Sequence, residues 1–160
     1  MPAACEVLLL TLLLSVLLAF YSTFAVRSAP TDEQLLAQLR ARLLQSPTLR
    51  QRHPDVLDAL GSWKIAPAST MSHADFQTQT LHIVVGLPSG RHFDENTLLL
   101  VLTHELVHAV LGPRVSHDSS FFAKQEACLL ALSLDGLILK ERAINPAYPA
   151  EILDSPDVLR

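Results

Sequence analysis

Cysteine is scarce in this chain of 160 residues. The two that occur, Cys5 and Cys128, are too far apart in sequence to suggest a disulfide framework or a thiolate metal cluster. A basic excess is also missing. Beyond residue 26 the chain carries twelve Lys and Arg against fifteen Asp and Glu, a net of about −3. That balance opposes binding to phosphate backbones, and no basic stripe interleaved with aromatics offsets it, so direct nucleic-acid binding is not expected. Internal repeats and low-complexity tracts are absent after the first thirty or so residues, which leaves one ordinary domain of roughly 130 residues.

Lys and Arg are missing altogether from residues 1–26, and within that stretch residues 7–26, VLLLTLLLSVLLAFYSTFAV, hold no charge of either sign. Twenty residues of helix rise roughly 30 Å, the thickness of bilayer hydrocarbon, so residues 1–28 are expected to be an N-terminal membrane anchor with this run as its transmembrane helix. The alternative is a cleaved signal peptide ending near Thr23-Phe24-Ala25, which would make the protein secreted. A signal peptide normally opens with positive charge and has a shorter apolar run, and both features favour the anchor. Glu6 is the one charge before the run, whereas Arg27, Arg40, Arg42, Arg50 and Arg52 follow it. The positive-inside rule then places the C-terminal domain in the cytosol.

The rest of the chain divides by pattern. Residues 29–62 are expected to be a helical, membrane-proximal segment. Thr31 and Gln34 form a capping-box signature, and Leu35, Leu36, Leu39, Leu43 and Leu44 then recur at helical spacing. A second helical piece is expected over 55–60, with Pro54 in its first turn. Residues 63–142 are expected to form an α+β core. TLHIVV, residues 80–85, is the clearest strand, and WKIAPAST is a weaker one interrupted by Pro67. GLPSG at 86–90 is turn chemistry, and Asp94 is a candidate N-cap for the long helix ENTLLLVLTHELVHAVL, which Gly112-Pro113 should stop. A further helix is expected after Asp118, and within it Cys128 reads as a small buried hydrophobe. Residues 143–160 are a proline-rich tail.

Within these elements one stretch, THELVHAVLGPRVSHDSSFF at 103–122, gathers three histidines and a glutamate into fourteen positions. His104 and His108 are four apart on a helix, so both imidazoles leave one face, a spacing at which two nitrogens can bind one tetrahedral ion. Glu105 is offset by about 100°, beside such an ion rather than on it, where a general base would stand. With seven His and seven Glu in the chain, shuffling would generate His-Glu-x-x-His in roughly one sequence per hundred. The apolar flanks LLLVL and AVL also imply burial, which is costly for these side chains unless a metal or hydrogen bonds compensate.

Catalytic zinc usually has three protein ligands and one open position. The candidates for the third are His117, nine residues after His108 and past the Gly-Pro break, and Glu126 on the next helix. His117 is preferred because a glycine turn precedes it and a capping Asp follows. Asp118 reads as helix cap or as carboxylate partner to a histidine. His73, His82 and His92 are isolated and read as structural or solvated.

The stretch from residue 81 to 127, roughly a third of the chain, resembles the core of the WLM zinc metallopeptidases, relatives of the SprT and Spartan proteases. The resemblance rests on the strand at 81–85, His104, Glu105 and His108, the Gly112-Pro113 turn, His117 followed by Asp118, and the aromatic Phe121. It implies a zincin-like α+β fold, bound zinc, and hydrolysis of peptide bonds in protein substrates with Glu105 as general base. It further implies that substrate pairs with an exposed edge of the strand at 81–85. In the family the third His usually follows Gly-Pro directly, whereas Arg114, Val115 and Ser116 intervene here, so Glu126 stays open as the third ligand. Family members that digest DNA-crosslinked proteins carry nucleic-acid-binding appendages, and none is visible in this chain. Tyr148 is a candidate oxyanion donor only because tail residues can fold over such clefts, and a packing role is the commoner one. The alternative in another functional class is a non-catalytic zinc-binding membrane adaptor.

Overall fold

The computed structural model describes residues 29–139. The apolar run at 7–26 and Tyr148 lie outside them. The chain divides into two units, residues 1–30 and 31–160, and the account below concerns the second.

Helix α1 (Asp32–Leu44) starts on the capping box that its sequence announces. The Gln34 N–H donates to Thr31 Oγ1 at 3.3 Å and the Thr31 N–H donates to Gln34 Oε1 at 3.0 Å. Its inward stripe is Leu36, Leu39 and Leu43, all buried. Two short helices follow, α2 (Pro47–Arg52) and α3 (Pro54–Ser62), each opening on a proline whose missing N–H would have had no helical partner. Helix α2 was not expected. It has six residues and a single buried side chain, Leu49, too little periodicity to register. A distant partner holds it instead: the carboxylate of Asp135 accepts hydrogen bonds from Ser46 Oγ, Thr48 Oγ1 and, at 3.0 Å, the Thr48 N–H.

The sheet has three strands, β1 (Lys64–Ala68), β2 (His73–Asp75) and β3 (Thr80–Val84), in the order β1-β3-β2. β1 runs parallel to β3 with Ile65 opposite Leu81, and β2 runs antiparallel to it with His73 opposite His82. As an outer strand β1 tolerates Pro67, which cannot donate to a ladder. β3 is central, and Leu81 and Ile83 are wholly buried. This corrects the expectation that the strand at 81–85 offers a free edge. Both its flanks are taken, and past β2 the Val84 N–H donates to Ser72 Oγ at 2.9 Å while Val85 O accepts from the Phe93 N–H at 2.9 Å. The antiparallel strand β2 escaped notice because His-Ala-Asp carries no β pattern. A side-chain turn presents it: Asp75 Oδ1 accepts from the Gln77 N–H at 2.8 Å, and Thr78 Oγ1 donates to Asp75 Oδ2 at 2.7 Å.

At residue 86 the chain bends back so that Gly86 bridges His92. A Cβ there would lie 2.6 Å from the Arg91 carbonyl oxygen, so only glycine fits. Helix α4 (Glu95–Leu111) begins on Asp94, whose Oδ1 accepts from the Thr97 N–H at 3.1 Å, and matches the expected span. It is buried on nearly every side from Thr97 to His108, which marks the central helix of a domain. Helix α5 (Ser119–Leu134) packs along it, and β2, β3, α1 and α3 also contact it.

The architecture is therefore α+β, a small sheet with several helices. Leu36, Leu39, Leu49, Val56 and Leu60 from the first three helices share one hydrophobic core with Leu81, Leu98, Leu102 and Leu106. The helical segment before residue 63 is thus built into the same core as the sheet and α4. Among the described residues, no helix is long and apolar enough to cross a membrane.

Burial raises the carboxyl pKa of Asp135, but hydrogen bonds from Ser46 and Thr48 outweigh this and hold it below the ordinary aspartate value. A depressed folded-state pKa contributes stability above the unfolded pKa of about 3.9, and that contribution fades as pH falls through the lower folded value. Asp135→Ala is expected to cost about 2 kcal/mol at neutral pH, with the gap to wild type shrinking below about pH 4, as measured by denaturant unfolding across pH.

Candidate metal centre

Helical spacing on α4 sets His104 and His108 one turn apart, with ring centroids 5.0 Å from each other. The helix ends at Gly112, whose φ of 97° suits glycine and turns the chain back across the same face. The loop is held by its own backbone, the Asp118 N–H donating to Ser116 O at 2.7 Å. It delivers His117 so that its Nε2 lies 3.0 Å from Nε2 of His108 and 3.1 Å from Nε2 of His104. The ligand nitrogens of the three histidines all fall within 4.8 Å of one another.

Three imidazole nitrogens meeting in this way could share one cation. A neutral imidazole offers one N–H and one lone pair, so the single Nε2 of His117 can form a proper hydrogen bond with only one of its two neighbours. Tetrahedral coordination at a nitrogen–zinc distance of about 2.0–2.1 Å would space the nitrogens about 3.4 Å apart. The observed 3.0 and 3.1 Å separations are close to that, so the donor set fits a cation.

The electrostatics suit the same use. Burial, followed by the neighbouring His108 and His117, lowers the His104 pKa to about 3, against an opposing hydrogen-bonding influence from Gln125. His104 is therefore neutral at physiological pH, the form in which an imidazole binds metal. Phe121, wholly buried at the first turn of α5, closes the cluster with its ring centroid 4.9, 4.4 and 4.7 Å from those of His104, His108 and His117. Glu105, the next residue after His104, is 0% exposed.

The other candidates fall elsewhere. Glu126 is exposed on α5, because the inward stripe of that helix runs through Phe121, Gln125, Cys128 and Leu132 and the next position is rotated about 100° away. The structure thus brings His117, not Glu126, to the histidine pair. Asp118 is the α5 cap, its Oδ1 accepting from the backbone N–H groups of Ser120 at 2.9 Å and Phe121 at 3.1 Å. His73 and His82 stack on each other at 4.7 Å, and His92 pairs with Asp32 at 2.8 Å; none of the three joins the cluster. Burial pushes the Cys128 thiol up to about 11, which keeps it an inert core group. Sequence reasoning missed Gln125, a buried amide beside His104. Its signal was an amide on the stripe otherwise filled by Phe121, Cys128 and Leu132.

Comparison of the chain with family models, with curated proteins and with solved structures finds no match in any of the three.

The full-length wild type is expected to hold about one divalent transition-metal ion per chain. His117→Ala should lose it and Glu126→Ala should keep it, as elemental analysis of the purified proteins would report.

Proposed function

We propose that this chain is a zinc metallopeptidase of the zincin kind, similar in its site to the WLM peptidases, with His104, His108 and His117 as ligands and Glu105 as general base. The observation that carries the reading is the convergence of the three imidazole nitrogens on one helix face with a buried glutamate next to the first of them. Imidazole donors with no thiolate among them suit zinc, and three protein ligands leave a coordination position open for chemistry.

Zinc bound there would supply a Lewis acid that polarises a carbonyl and makes water a nucleophile near neutral pH. Glu105 accepts the proton of the attacking water and delivers it to the departing amine, so one carboxylate serves both halves of the reaction. It sits on the rigid central helix, which fixes its position relative to His104 and His108.

An extended substrate would add to the sheet at β2. That strand is the outer one on the side where α4 packs, and its far edge takes the role first expected of the strand at 81–85. The apolar run at 7–26 would tether the enzyme to a membrane with the peptidase on the cytosolic side. With its acidic balance, it would act on protein substrates near that membrane rather than on nucleic-acid complexes.

Glu105→Gln separates this reading from a metal-binding adaptor. The variant is expected to retain zinc while losing cleavage of an unfolded protein such as casein by 100-fold or more. If wild type holds zinc and cleaves nothing, with Glu105→Gln indistinguishable from it, the peptidase reading fails and the adaptor reading takes its place.

A further inference from the structure

The inward stripe of α5 is Phe121, Gln125, Cys128 and Leu132, and Gln125 is its one strongly polar member, 4% exposed. Burying a primary amide without compensation is costly, so a leucine would serve packing better at this position. Across the α4–α5 contact lies His104, wholly buried, with Nε2 directed at His117. That leaves Nδ1. Nδ1 of His104 and Oε1 of Gln125 are both buried, and neither has a partner within normal hydrogen-bond geometry. Phe121, one turn before Gln125 on the same buried stripe, has its ring centroid 4.9 Å from that of His104, so Gln125 stands on the face of α5 that meets this histidine.

A neutral imidazole has a single proton to place. If a cation takes the lone pair at Nε2, the proton must sit on Nδ1, where in a dry site it needs an acceptor. We propose that Gln125 is a positioning residue for the metal centre: its side-chain carbonyl accepts from Nδ1–H of His104, fixing the tautomer and ring orientation that turn the Nε2 lone pair toward His108 and His117. The inference rests on the metal-centre reading, and the following experiment separates the two.

Full-length wild type, Gln125→Leu and Gln125→Glu are compared for Zn²⁺ affinity by chelator competition, for melting temperature without metal, and for the His104 tautomer by nitrogen-15 NMR without metal. Leucine keeps the volume and removes the acceptor. Gln125→Leu is expected to weaken Zn²⁺ binding 10–100-fold. It should leave the metal-free melting temperature unchanged or raised and shift His104 away from the Nδ1–H form. Gln125→Glu, which restores an acceptor, should recover affinity to within a few-fold of wild type. Equal Zn²⁺ affinity in wild type and Gln125→Leu would overturn the role of Gln125 and leave the metal centre standing. A lowered metal-free melting temperature with an unchanged tautomer would reduce Gln125 to a packing residue and overturn the proposal. Absence of Zn²⁺ binding by the wild type would overturn the metal centre and this role with it.

Discussion

Two imidazoles and a carboxylate sit inside the most buried helix of this domain, and the cost of desolvating them is the constraint around which the rest is arranged. Helix α4 is covered by α3, α5 and the sheet, and His104 and Glu105 have no exposed surface. Polar groups persist in such a place only where compensation is strong. His117 arriving from the loop and Phe121 closing one side both bear on the same few atoms. Stability and chemistry are coupled there: a group bound at the three nitrogens would offset the burial that the apolar packing imposes.

The approach of His117 depends on features with no chemistry of their own. Gly112 ends α4 in a conformation that glycine favours, and Asp118 starts α5 by capping its first N–H groups. Between them five residues bring a side chain back over the helix. Arg114, Val115 and Ser116 lie in this loop, and the cap at Asp118 sets where His117 stands. The loop is short enough for helix ends to dictate its path.

Elements specified by local chemistry were legible in the sequence. The Thr31–Gln34 capping box, the Asp94 and Asp118 caps, the span of α4 and the spacing of His104, Glu105 and His108 could all be read directly, because each rests on contacts within about four residues. Features set by distant partners could not. Helix α2 depends on Asp135, eighty-seven residues from Thr48. Strand β2 has only three residues, and its arrival against β3 removed the edge expected at 81–85. Between His117 and Glu126 the decision came from the phase of α5, which no spacing rule supplies without knowing which side of that helix faces α4. Gln125 was visible only as an amide on an apolar stripe, and its meaning waited on knowing what lay opposite.

If the proposed centre forms, His104, His108 and His117 together hold one zinc ion. X-ray absorption spectroscopy of the full-length protein at its zinc edge tests it most directly. A zinc centre of this kind should show three imidazole ligands at about 2.0 Å and one further light-atom ligand, with no sulfur. A zinc-free protein, a sulfur ligand, or a shell with fewer than three imidazoles would contradict it.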